Sequence, residues 1–96
     1  MEMTRKAVAT AHRNLSSRIE RYLFEMQKAD RPPCRREGEW LEKAVACLAS
    51  QAFDEGERAM MWADVATRQP GADEVSKTVT VEDLRTKLAA IAKVEA

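Results

Sequence analysis

The sequence predicts an all-α domain in which two long helices form an antiparallel hairpin and a short C-terminal helix docks on them. Three observations support this prediction. Apolar side chains recur every three or four residues over two segments of similar length, as on one face of an α-helix. A proline-containing segment follows each of them, and proline ends helices. A third, shorter apolar pattern begins after a threonine that can cap a helix.

The first helix is expected from Thr4 to Ala29. Its apolar stripe consists of Val8, Ala11, Leu15, Ile19, Tyr22 and Met26. The helix should stop before Pro32-Pro33, because proline donates no backbone hydrogen bond and disfavours the helical conformation in the residue before it.

The second helix is expected to begin at Glu39 or Trp40, after Gly38, and to continue to Gln69-Pro70-Gly71. Its stripe keeps one phase throughout and consists of Leu41, Val45, Leu48, Ala52, Ala59, Ala63 and Ala66. Flanking apolar residues widen the stripe beyond half of the circumference. This helix is therefore predicted to lie centrally, between the first helix and either the last helix or a second protomer.

A break of the second helix near Phe53–Gly56 is the alternative. Residues 54–57 have the D-x-x-E form of a capping box, and a glycine costs about 1 kcal/mol inside a helix. With such a break, residues 40–70 resemble a single tetratricopeptide hairpin, with Trp40 early, alanines late and a closing proline. They lack the Leu-Gly and Tyr pattern of that family's first helix and have no second copy. Continuity is favoured because the stripe keeps its phase across the glycine.

The C-terminal helix is expected from Val81 to about Val94, capped by Thr80. Its apolar side consists of Leu84, Leu88 and Ile91. A helix of this length is not stable alone and must dock. The expected docking site is the flank of the second helix that the first helix leaves uncovered. Residues 1–70 then form the hairpin, and residues 71–96 add a polar linker and the C-terminal helix to the same domain.

Composition points to a small domain that associates with protein. Sixteen of the 96 residues are alanine, so the core is thin and self-association would add buried area. The 16 basic and 16 acidic residues cancel overall, although residues 1–40 carry a charge of +3 and residues 41–96 a charge of −3. No segment has the apolar length of a secretion signal or a membrane span. A cytoplasmic location with both cysteines reduced is therefore expected.

No motif for catalysis, metal binding or nucleotide binding is present. His12 is the only histidine, and it has no zinc-type spacing to Cys34 or Cys47. Cys34 precedes two arginines in an expected exposed loop, which would favour a reactive thiolate, but a nucleophile also needs a base and an oxyanion site. We therefore expect neither an enzyme nor a cofactor, and the reactivity of Cys34 stays open.

Phe24 lies opposite the apolar stripe of the first helix. It falls in an arc with four basic residues, Lys6, Arg13, Arg21 and Lys28. An aromatic ring in a basic face needs a partner. The predicted partner-binding residues are Tyr22, Phe24, Met61 and Trp62, in a small interaction module that acts as an adaptor, accessory subunit or regulator and forms a homodimer. The alternative is a nucleic-acid-binding or antitoxin-like regulator that uses the basic face.

Overall fold

The computed structural model describes the backbone of residues 4–95 and the side chains of residues 4–91. Within these residues it contains four helices and no β-strand: α1 (Arg5–Lys28), α2 (Arg35–Ala49), α3 (Phe53–Ala66) and α4 (Val81–Glu95). The predicted all-α class is confirmed.

The first helix has the predicted limits. Thr4 is its N-cap, and the hydroxyl of Thr4 accepts a hydrogen bond from the backbone N–H of Ala7 at 3.0 Å. The helix closes through Asp30, which has a φ of 52°, and through the N–H of Arg31, which donates to the carbonyl of Met26 at 2.9 Å. This is the left-handed closure of a Schellman motif.

The prediction of a continuous second helix is wrong. The chain reverses at residues 50–52 between α2 and α3. Gln51 adopts a φ of 62°, and the N–H of Ala52 donates to the carbonyl of Cys47 at 2.9 Å, which is again a Schellman closure. The usual sign of this closure is glycine at the left-handed position, and here that position is a glutamine.

The details predicted around this break are also corrected. The capping box at residues 54–57 does not form, because the N-cap of α3 is Ala52, which makes no side-chain capping hydrogen bond. Gly56 lies inside α3. At the other end, α2 begins at Arg35 and already includes Gly38, four residues earlier than the first predicted start.

Gln51→Gly is expected to raise the free energy of unfolding by about 0.5–1 kcal/mol, because glycine adopts a positive φ without the steric cost borne by other residues. Denaturant titration of the two proteins measures this difference. Ala46→Gly, at an exposed helical position, is the control and should lower stability by about 1 kcal/mol. If both variants lost the same free energy of unfolding, the positive φ of Gln51 would not be a source of strain.

The helices pack in two central and two flanking positions. Both α1 and α2 contact all three other helices, whereas α3 and α4 do not contact each other across the described residues. Residues later in α1 contact residues later in α3. The rings of His12 and Phe53 lie edge to face with their centroids 6.3 Å apart, and Arg18 donates a hydrogen bond to Glu57. The helices α1 and α3 therefore run parallel.

The C-terminal helix docks as predicted. Leu84 and Leu88 are buried in the core and Ile91 packs against it, and α4 contacts both α1 and α2. Thr80 caps the helix by accepting a hydrogen bond from the N–H of Asp83 at 3.1 Å. Its apolar side therefore covers the groove between the two central helices.

The segment before α4 is fixed to the connection between α1 and α2. The N–H of Ser76 donates to the carbonyl of Pro33, and the N–H of Arg35 donates to the carbonyl of Glu74, both at 2.9 Å. Val79 is buried beside Gly38, where a Cβ atom would lie 3.1 Å from the Cβ of Val79. The small residue in α2 thus allows the linker to pack closely.

No helix within residues 4–95 combines the length and the apolar character needed to cross a membrane.

Candidate functional site

A buried carboxylate connects α1, the loop after it and α2. Glu37 has no solvent-exposed surface. Its oxygens accept hydrogen bonds from the hydroxyl of Tyr22 at 2.5 Å, from both terminal nitrogens of Arg31 at 2.8 Å and from the backbone N–H of Cys34 at 3.1 Å. We call these four residues the Glu37 network. Because every oxygen is satisfied, the network can hold a charge in the core.

The sequence analysis missed this network. One local signal was available, since Glu37 stands three residues after the N-cap of α2 and a glutamate there commonly bonds back to the N-cap N–H. Cysteine at the N-cap hid the pattern, which usually begins with serine or threonine. The two other partners, on α1 and in the loop, are not indicated by spacing.

The network shifts the acid–base properties of its members. Burial alone would raise the pKa of Glu37, but the hydrogen bonds from Arg31, Tyr22 and Cys34 and the charge of Arg31 outweigh it, so the pKa lies below its ordinary value. Burial, followed by the hydrogen bond to Glu37 and its charge, raises the pKa of Tyr22. Glu37 is therefore ionised and Tyr22 protonated at neutral pH.

A cleft of about 570 Å³ lies between α1 and the C-terminal end of α3. Its lining includes Tyr22 and Met26 from α1, together with the charged side chains Arg18, Arg21 and Glu25 of α1 and Asp64 of α3. Arg18 pairs with Glu57 at 3.4 Å, and Asp64 pairs with Arg68 at 3.1 Å. The cleft thus combines an apolar floor with charges of both signs, a lining that fits contact with protein better than binding of a simple anion.

The outer surface of α3 carries large apolar side chains that the helix does not use for the core. Met61 and Trp62 are 44% and 45% exposed, and Val65 is half-buried. Val65 follows Trp62 by three residues and Met61 by four, and these spacings place side chains on one side of a helix. The buried residues of α3 lie on the other side, at Phe53, Gly56, Ala59, Met60, Ala63 and Ala66. We call Met61, Trp62 and Val65 the α3 outer face.

A tryptophan pair extends this face onto α2. The rings of Trp40 and Trp62 stack with their centroids 6.3 Å apart and an interplanar angle of 28°. The ammonium of Lys43 lies 5.4 Å from the ring centroid of Trp40, a cation–π contact. Trp62 is therefore held in place while nearly half of its surface stays exposed, which is favourable for a binding anchor because little side-chain entropy remains to be lost.

Phe24 is 59% exposed on α1. It lines a groove of about 310 Å³ between α1 and α4, together with Leu23 and Leu88. The four predicted partner-binding residues are thus distributed: Tyr22 lines the α1–α3 cleft, Phe24 lines the α1–α4 groove, and Met61 and Trp62 lie on the α3 outer face. Neither the cleft nor the groove is lined by more than one of them.

The basic face of α1 is exposed as its spacing predicted. It consists of Lys6, Arg13, Arg21 and Lys28, and all four are exposed. None of them forms an ion pair with another residue in the part of the chain whose side chains are described. Their charge is therefore open to a partner.

Both cysteines are buried, and the histidine packs on an aromatic ring. Cys34 was expected in an exposed loop, but only 6% of its surface is exposed, because the loop and the segment before α4 pack around it. Burial, and then the charge of Glu55, raises the pKa of the Cys47 thiol. His12 packs on Phe53. Among the described side chains no group of three or more His, Cys, Asp or Glu could hold a metal ion.

Comparisons of this chain with protein-family models, with curated proteins and with solved structures find no match. The tetratricopeptide resemblance of residues 40–70 therefore gains no support from them.

Proposed function

We propose that this protein is a small helical interaction module that binds other protein chains through the α3 outer face and the adjoining tryptophan pair. One observation carries the proposal: α3 has apolar side chains on two opposite sides, and its own fold covers only one of them. A small domain with a thin core benefits from covering the second side with another chain.

The chemistry of this surface supports the same proposal. Tryptophan, methionine and arginine are enriched in the cores of protein interfaces, and exposed aromatic anchors commonly contribute most of the binding free energy. Trp62 has both properties of such an anchor, because it is exposed and its ring is fixed on Trp40. The mixed charges of the neighbouring cleft suit a polar rim around this apolar centre.

Trp62→Ala is expected to weaken partner binding about 30-fold or more, as truncation of an interface anchor costs about 2 kcal/mol or more. Proteins retained by the tagged chain in a lysate of its native host are identified by mass spectrometry, and the purified partner is titrated by calorimetry. Val75→Ala is the matched control, because Val75 is 53% exposed outside this surface. Equal affinity of wild type and Trp62→Ala would refute the proposal.

Nucleic-acid binding by the basic face of α1 is the second candidate. It is favoured by one observation, the four exposed basic residues with the exposed Phe24 ring among them. Basic grooves with aromatic side chains bind single strands by charge and stacking. Against it stands the absence of net positive charge on the chain, since nucleic-acid-binding domains are commonly basic overall.

A salt titration separates the two candidates. If the basic face binds nucleic acid, affinity should fall steeply with salt, and Arg21→Ala should reduce the slope by about 0.7 to 0.9. We expect instead weak or no binding of DNA and RNA at physiological salt. If the basic face of α1 instead belongs to a protein interface, Phe24→Ala should disturb association more than Arg21→Ala, because a desolvated aromatic anchor outweighs a screened rim charge. Submicromolar nucleic-acid binding at physiological salt would reverse this order.

A further inference from the structure

We draw no further inference here: the strongest candidate, the α3 outer face with its exposed Met61 and Trp62 side chains, carries nothing beyond the proposed function, because nothing in the structure shows what covers it.

Discussion

Gly56→Val is expected to lower the free energy of unfolding by about 3 kcal/mol, within the range of overpacked core positions. A Cβ atom at Gly56 would lie 2.4 Å from Cδ2 of Leu15 and 3.2 Å from Cβ of Cys47. Leu15 has no exposed surface, so its side chain cannot move into solvent. The glycine lets α3 approach α1 and α2 more closely than any side chain would permit.

Urea titration followed by circular dichroism measures this loss. Ala46→Val, at an exposed position of α2, is the control for the lower helix propensity of valine and should cost less than about 1 kcal/mol. A double-mutant cycle tests whether Leu15 is the side chain that the new Cβ atom meets. Leu15→Ala should cost less in a Gly56→Ala background than in wild type, because the methyl group at position 56 fills part of the cavity that the truncated Leu15 leaves. Additive effects would argue against the contact with Leu15.

Glu37→Ala is expected to cost about 2–3 kcal/mol, because it leaves buried hydrogen-bond donors without an acceptor. The side chain of Arg31 is 44% exposed, so water can solvate its charge in the variant. The substitution leaves the guanidinium of Arg31, the hydroxyl of Tyr22 and the N–H of Cys34 without their acceptor. For a domain of this size such a loss is a large fraction of the total stability. Glu42→Ala removes an exposed carboxylate that pairs with Lys87 and should cost less than about 1 kcal/mol.

The same residue should make stability depend on acid pH. The pKa of Glu37 lies below its ordinary value of 4.5 in the folded protein, so its ionised form stabilises the fold above that value. This contribution is lost as the pH falls through the lower, folded-state pKa. The difference in unfolding free energy between wild type and Glu37→Gln should therefore be full at neutral pH and shrink below pH 4.5.

Denaturant titrations of both proteins between pH 3 and pH 7 check this dependence. Comparing the two proteins at each pH cancels the titration of the other carboxylates, which they share. A difference that is constant over this interval would show that the Glu37 network does not depend on the charge of the carboxylate.

The amino-acid sequence by itself determined the all-α class, the limits of α1 and the docked C-terminal helix. These features depend on local chemistry. The hydroxyls of Thr4 and Thr80 accept hydrogen bonds from backbone N–H groups three residues later. The prolines after α1 have no backbone N–H to donate, so the helix cannot continue through them. The spacing of Leu84, Leu88 and Ile91 marks the side that must be buried. The exposure of Phe24 and of the basic face follows from the same periodicity.

Only the tertiary structure decided where the second helical pattern breaks. An apolar stripe that keeps its phase is equally compatible with one helix and with two antiparallel helices, because both α2 and α3 bury apolar sides. The break depends on Gln51 accepting a left-handed conformation, and the packing of α3 on α1 stabilises this reversal. Gly56, which the sequence suggested as a helix breaker, instead serves that packing from inside α3.

The candidate site could not be predicted from local sequence patterns either. Glu37 is buried because Tyr22 and Arg31, 15 and 6 residues away in the chain, converge on it. The sequence identified Phe24, Met61 and Trp62 as exposed candidates, but their distribution over separate surfaces and the stacking of Trp62 on Trp40 depend on how the helices cross. Periodicity reports which side of a helix faces the core, and it carries no information about which helices meet there.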